Sequence, residues 1–202
     1  MMTTLNNILS TARTLFYKYG LKSVSMDDVA KEAGVSKKTI YEYFEDKKAL
    51  VKAIVAGFIK NNRETITECS KKSPNAVEEV LVQVKLLYAT LSDINYNFFH
   101  ELERMYPQAW QELTAYKKET FSMLIINNLE RGIAEGFFRA DLPLQFTADM
   151  RLHQISTAID PVNFSEKKYD VHQLMMSFTD FYLHAITTKE GKELINKYQV
   201  SI

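Results

Sequence analysis

The chain has 202 residues, 46% of them hydrophobic and 25% charged, with Lys and Arg balanced by Asp and Glu to a formal net charge of zero. That length allows a sizeable core, in one domain or in a small one joined to a larger one. Apolar runs such as Met123–Ile126 fall far short of the ~20 residues a membrane span needs, and no basic region followed by a long apolar stretch opens the chain, so the expectation is a cytoplasmic protein with no membrane partner. The single cysteine, Cys69, cannot form an intrachain disulfide, in keeping with a reducing compartment.

In chain order the elements are helical. Leu5, Ile8, Leu9, Ala12, Leu15, Phe16 and Tyr19 recur at spacings of three and four, and Gly20 supplies the stop. Ser25 with Asp28 three residues on predicts a capping box for a second, short helix that carries Met26, Val29, Ala30 and Ala33 and ends at Gly34. Ser36 caps a third helix, expected to turn Ile40, Tyr41 and Phe44 inward and Lys37, Lys38, Thr39, Glu42 and Tyr43 outward. Asp46 caps a fourth that runs from Lys47 toward Cys69. Pro74 suits the first turn of a fifth, and a sixth is expected over about Asn95–Arg104. Pro107 opens a long helix ending near Gly136, in which Gly132 is an awkward residue for the last turn. Two more are expected at about Gln145–Ile159, stopped by Pro161, and about Tyr169–Thr188. No segment alternates with period two, so the expected fold is all-α, with about nine helices. A small helical domain at residues 3–62, with a two-helix motif at about 25–44, is expected to precede a larger helical body at residues 63–202.

The zero net charge conceals an asymmetry. Residues 1–60 hold ten Lys/Arg against six Asp/Glu, a balance of +4, and the remainder carries −4. A localised basic face on two short helices joined through glycine is the pattern of a helix-turn-helix, because a residue without a β-carbon can take the positive φ of the tight turn. The rigid pair would present the third helix to the major groove. Lys37, Lys38, Thr39 and Tyr43 are its candidate contacts, since lysine donates to guanine O6/N7 and a threonine methyl meets a thymine methyl. Ser25, Tyr43, Lys47, Lys48 and the free amides opening the fourth helix are candidates for phosphate.

The stretches ILSTARTLFYKYG and SMDDVAKEAGVSKKTIYEYFEDKKAL, within about residues 5–58, resemble the TetR family of bacterial transcriptional regulators. The resemblance implies a three-helix DNA-binding head, a fourth helix linking it to a divergent ligand domain, and two C-terminal helices that pair with those of a second subunit. It also places Thr39 and Tyr43 on recognition positions and Lys47 at the phosphate-facing start of the fourth helix. Lys38 stands where the family often has a small residue, and Lys48 where it often has an acid.

In the body, Tyr88, Phe98, Phe99, Tyr106, Trp110, Tyr116 and Phe121 crowd aromatics into one region. All but Tyr116 are candidates for an effector pocket, although core packing accounts for such rings equally well. Asp149 with His153, and Asp180 with His184, stand four apart and share helix faces, which fits surface pairs more readily than a metal site. No HExxH motif, phosphate-binding loop or nucleophile with an arranged base is present, so neither a metal, a cofactor nor an enzyme is expected. Met150, Ile155 and Ile159, with Leu174, Met175, Phe178, Phe181 and Leu183, exceed what one inner face would bury, which suggests a homodimer on a palindromic operator in double-stranded DNA. The expected function is a repressor released by an unknown small molecule. The alternative is control by a protein partner without a small-molecule pocket, and an all-α enzyme ranks last.

Overall fold

The computed structural model describes residues 3–95, 97–159 and 170–199. Among them every named element is helical: α1 (Thr4–Tyr19), α2 (Met26–Ala33), α3 (Lys37–Tyr43), α4 (Lys47–Lys72), α5 (Ala76–Leu91), α6 (Asn97–Met105), α7 (Pro107–Tyr116), a π-turn (Lys117–Phe121), α8 (Ser122–Ala134), α9 (Leu144–Ile159), α10 (Val171–Ile186) and α11 (Lys189–Gln199). Extended pairing among the described residues is confined to one isolated bridge, Phe138 with Thr187.

The chain divides into two compact units. The first comprises the chain up to Arg63 together with Leu91–Tyr116; the second comprises Glu64–Thr90 and the chain from Lys117 onward. The expected boundary at residues 62 and 63 lies beside this division, but α6 and α7 group with the N-terminal helices rather than with the body. Helix α4 is unbroken and contributes residues to both units.

In the first unit, Ile8, Ala12 and Phe16 of α1 are buried, as are Leu21, Val29, Ala30, Ala33, Ile40, Leu50 and Val51. Asn7 Nδ2 donates to the Ala33 carbonyl at 2.8 Å, satisfying an acceptor at the end of α2. The segment from α6 to α7 is fastened within the same unit by polar contacts. The Asn95 amide donates to the Tyr17 carbonyl at 2.7 Å, the Lys22 amide to Glu101 Oε2 at 2.9 Å, and the Tyr116 hydroxyl to Asn62 Oδ1 at 2.8 Å.

The second unit is built on Val77, Val80, Leu81, Leu129, Phe138, Ala148, Leu183, Ile186 and Ile195. A buried polar network lies beside them. Arg131 reaches Glu79 at 3.1 Å and Glu135 at 2.7 Å, and it donates to the carbonyls of Ser70 at 3.3 Å and Ser73 at 2.9 Å. It thereby satisfies acceptors at the carboxyl end of α4. Glu79, only 2% exposed, also accepts from Ser70 Oγ and from Gln83 Nε2.

Four expectations need revision. Pro74 precedes α5 instead of entering it, and the cap is Asn75, whose Oδ1 accepts from the Glu78 amide at 2.9 Å. The long helix opened by Pro107 is interrupted by the π-turn, where Thr120 is buried and burial lowers the pKa of Lys117. The last helix of the sequence-based reading stops at Ile186, and a further helix, α11, follows with the Gly191 amide donating to Thr188 Oγ1 at 3.2 Å. With α7, the π-turn and α8 counted as one helix, ten are present among the described residues against about nine expected. Finally, Tyr41 is 44% exposed and not core. Pro161 lies outside the described residues.

Candidate nucleic-acid interface

Local chemistry builds the helix-turn-helix. Ser25 Oγ accepts from the Asp28 amide at 3.2 Å while Asp28 Oδ2 accepts from the Ser25 amide at 2.8 Å, closing a reciprocal capping box on α2. The Ser25 hydroxyl, which also donates to Asp28 Oδ2, and then the Ser25 amide hold the Asp28 carboxyl below the usual range. Gly34 then adopts φ 65° and ψ 30°, and the Val35 amide returns to the Ala30 carbonyl at 3.0 Å. Ser36 restarts the chain by accepting from the Thr39 amide at 3.0 Å. With Val29, Ile40 and Phe44 buried and Val35 half-buried, α3 is fixed on α2 by its inner face.

The outer face of α3 sorts the candidates. Lys38 and Tyr43 are exposed. Lys37 is also exposed, yet its ammonium is bound to Asp27 of α2 at 2.7 Å, an ion pair that raises its pKa. Thr39 is half-buried and its hydroxyl lies 2.8 Å from Ser36 Oγ. The Ser25 hydroxyl is likewise already engaged, donating to Asp28 Oδ2 at 2.7 Å.

At the start of α4 the two lysines part company. Lys48 is exposed. Lys47 turns inward, where its ammonium donates to the Leu21 carbonyl, lies 5.5 Å from the centre of the Phe16 ring, and has its pKa lowered by burial. Lys47 therefore clamps the α1–α2 connection. Asp46 Oδ1 accepts from the Ala49 amide at 2.7 Å, so one of the amides opening α4 is already taken. The inward course of Lys47 and the Asp27 partner of Lys37 were not foreseen; both depend on residues ten or more positions away in sequence.

The candidate pocket aromatics do not form one group. Phe98 and Phe99 line a cavity of about 10 Å³ in the first unit with Tyr17, Ile54, Val55, Phe58, Ile94 and Leu113. Burial in this unit raises the pKa of Tyr17 to about 12. Tyr106 is buried and Trp110 half-buried in the same unit. Tyr88 and Phe121 belong to the second unit, where Tyr88 meets the His172 ring edge-on at 4.6 Å. His184 Nδ1 pairs with Asp180 at 3.2 Å. No group of three metal-capable side chains occurs among the described residues, and no helix there is long and apolar enough to cross a membrane.

Residues 8–54 match the family model described as bacterial regulatory proteins, tetR family. The chain is 25% identical over 171 residues to the HTH-type transcriptional regulator YvaF of Bacillus subtilis, covering 83% of this chain and 88% of that one. It is 27% identical over 150 residues to the HTH-type transcriptional repressor KstR2 of Rhodococcus jostii, covering 68% and 69%. A solved transcriptional regulator from Saccharomonospora viridis, in complex with choline, superposes with a TM-score of 0.77 at 22% identity over 91% of this chain and 97% of its own. Together with the capped α2, the left-handed Gly34 and the exposed face of α3, these matches identify the chain as a member of the TetR family of DNA-binding transcriptional regulators.

Proposed function

We propose that this regulator acts as a homodimeric repressor, bound to a palindromic operator and released by a small-molecule effector. The observation that carries the reading is the helix-turn-helix, whose recognition helix leaves Lys38 and Tyr43 outward on a buried, doubly capped scaffold. Lys38, Tyr43 and the Thr39 methyl read base edges, together with Lys37 once it leaves Asp27. Lys48 and the Lys47 backbone amide hold phosphates, together with the Ser25 hydroxyl once it leaves Asp28. Support for the repressor role comes from KstR2, and for a small-molecule effector from the relative solved with choline.

The dimer reading rests on α9 and α10. Leu174, Met175 and Leu183 are consumed by the core, but Phe146, Met150 and Phe181 are exposed, the last at 73%. Rings left in water at that level are suited to an isologous interface. Light scattering on the purified protein should give twice the 23.4 kDa chain mass; a monomer would overturn the dimer.

Selection of bound sequences from random DNA should return an inverted repeat. Against that site, Lys48→Ala should weaken binding to all sequences alike and lower the salt slope by about 0.9 for its one phosphate contact. Thr39→Ala should change the preferred bases instead. An unchanged slope in the Lys48 variant would remove that residue from the interface.

A further inference from the structure

Arg151 of α9 is only 4% exposed, yet it faces no carboxylate among the described residues. Its Nη2 donates to Thr179 Oγ1 at 2.9 Å, and its guanidinium carbon lies 4.7 Å from the centre of the Tyr182 ring. Thr179 in turn donates to the Met175 carbonyl at 2.6 Å, so its hydroxyl is a neutral acceptor with nothing further to offer. The surroundings are apolar: Ala148 and Ala158 are buried on the same helix, as are Leu174, Met175 and Leu183 on α10. Among the described residues one aromatic face and one hydroxyl are its partners, fewer than a guanidinium's five N–H donors can serve, and burial depresses its pKa to about 10.

A contrast inside the same unit shows what a matched cation looks like. Arg131 meets two carboxylates and two carbonyls. Three residues beyond Arg151, and so on a neighbouring part of the same helix face, Gln154 Oε1 is also sheltered from water without a hydrogen-bond partner among the described residues. The Gln154 oxygen is therefore desolvated and unsatisfied, and beside it a buried guanidinium has no counter-charge among the described residues, a cost that a ligand bringing the missing charge would offset.

We propose that Arg151 is the anchor for the carboxylate of an apolar organic acid, which binds in the second unit as the effector. A single guanidinium edge matches one carboxylate bidentately, and only a ligand with an apolar body would enter surroundings of Leu, Met and Ala. The proposal rests on the effector reading above, and its test separates the two.

The full-length protein is titrated calorimetrically with hexanoate, octanoate and decanoate, each against its methyl ester and the matching primary alcohol. At least one acid should bind about tenfold or more tightly than its ester, the scale of a charge-assisted bidentate contact. Arg151→Met should erase that preference while leaving the weaker binding of the neutral compounds, and Arg151→Gln serves if the methionine variant does not fold. Equal binding of acid and ester by the unsubstituted protein would overturn the proposal, as would a preference that survives the loss of the guanidinium. Selective acid binding that leaves operator affinity unchanged would uphold the anchor and count instead against effector-driven release.

Discussion

The two units handle charge in opposite ways. In the helix-turn-helix of the first and at the start of α4, the capping side chains sit at the surface and are satisfied by neighbours a few residues off: Ser25 with Asp28, Ser36 with Thr39, Asp46 with Ala49. In the second, the decisive charges are buried and their partners are distant in sequence, Arg131 with Glu79 being separated by 52 positions. A surface that must meet many DNA sequences needs its cations in water and its scaffold rigid. A body that responds to one effector needs chemistry sheltered from water, where each charge matters more.

The sharpest way to break that contrast is to remove Arg131. Glu79 would keep its hydrogen bonds from Ser70 and Gln83 but lose its counter-charge at 3.1 Å, and orphaning a buried ion costs about 3 kcal/mol or more. Arg131→Met should therefore lower the urea-unfolding stability by that amount. Adding Glu79→Leu should recover much of it, because the orphaned charge is gone. If the double variant is no more stable than the single one, the carbonyl contacts to Ser70 and Ser73 outweigh the ion pair.

A pair of glycines provides the next test, and with it a measure of what the amino-acid sequence discloses. At Gly34 the reason for glycine is the backbone: φ is 65° and a β-carbon would meet nothing within 4 Å. At Gly132 the backbone is ordinary helix, and a β-carbon would overlap the Phe138 ring. Gly132→Ala should cost about 1–3 kcal/mol through overpacking and be partly rescued by Phe138→Leu. Gly34→Ala should cost about 1–2 kcal/mol, with no rescue by any neighbour but with Gly34→Asn tolerated. Equal rescue at both sites would erase the distinction.

Gly34 was legible because a turn between two capped, patterned helices is a local event. Gly132 read only as an oddity, since its partner arrives after the chain reverses. The same divide runs through the rest of the molecule. The boundaries of α1 to α4 follow from caps and apolar spacing. The π-turn, the grouping of α6 and α7 with the head, and helix α11 do not. Asp27 and Leu21 take the head groups of Lys37 and Lys47 through folded proximity that no spacing rule encodes. Arg151 carried no signal at all: an arginine on a helix is ordinary, and its burial against Tyr182 becomes informative only once α9 and α10 are packed.

The smallest expected effect lies in the capping box and carries a pH signature. Ser25→Ala removes the acceptor for the Asp28 amide and the hydroxyl donor to Asp28 Oδ2, and loss of such an N-cap costs about 1 kcal/mol. Because hydrogen bonds from Ser25 hold the folded-state pKa of Asp28 below its unfolded value, the stabilisation linked to its ionisation is complete above the usual carboxylate range. It is lost as the pH falls through the lowered folded-state value. The stability of the unsubstituted protein should therefore decline through that acidic window, and that of Ser25→Ala should decline less, so that the gap between the two curves narrows at low pH to the contribution of the cap itself. Parallel curves would mean that the Ser25 amide alone holds the Asp28 carboxylate, with the hydroxyl serving only the helix end.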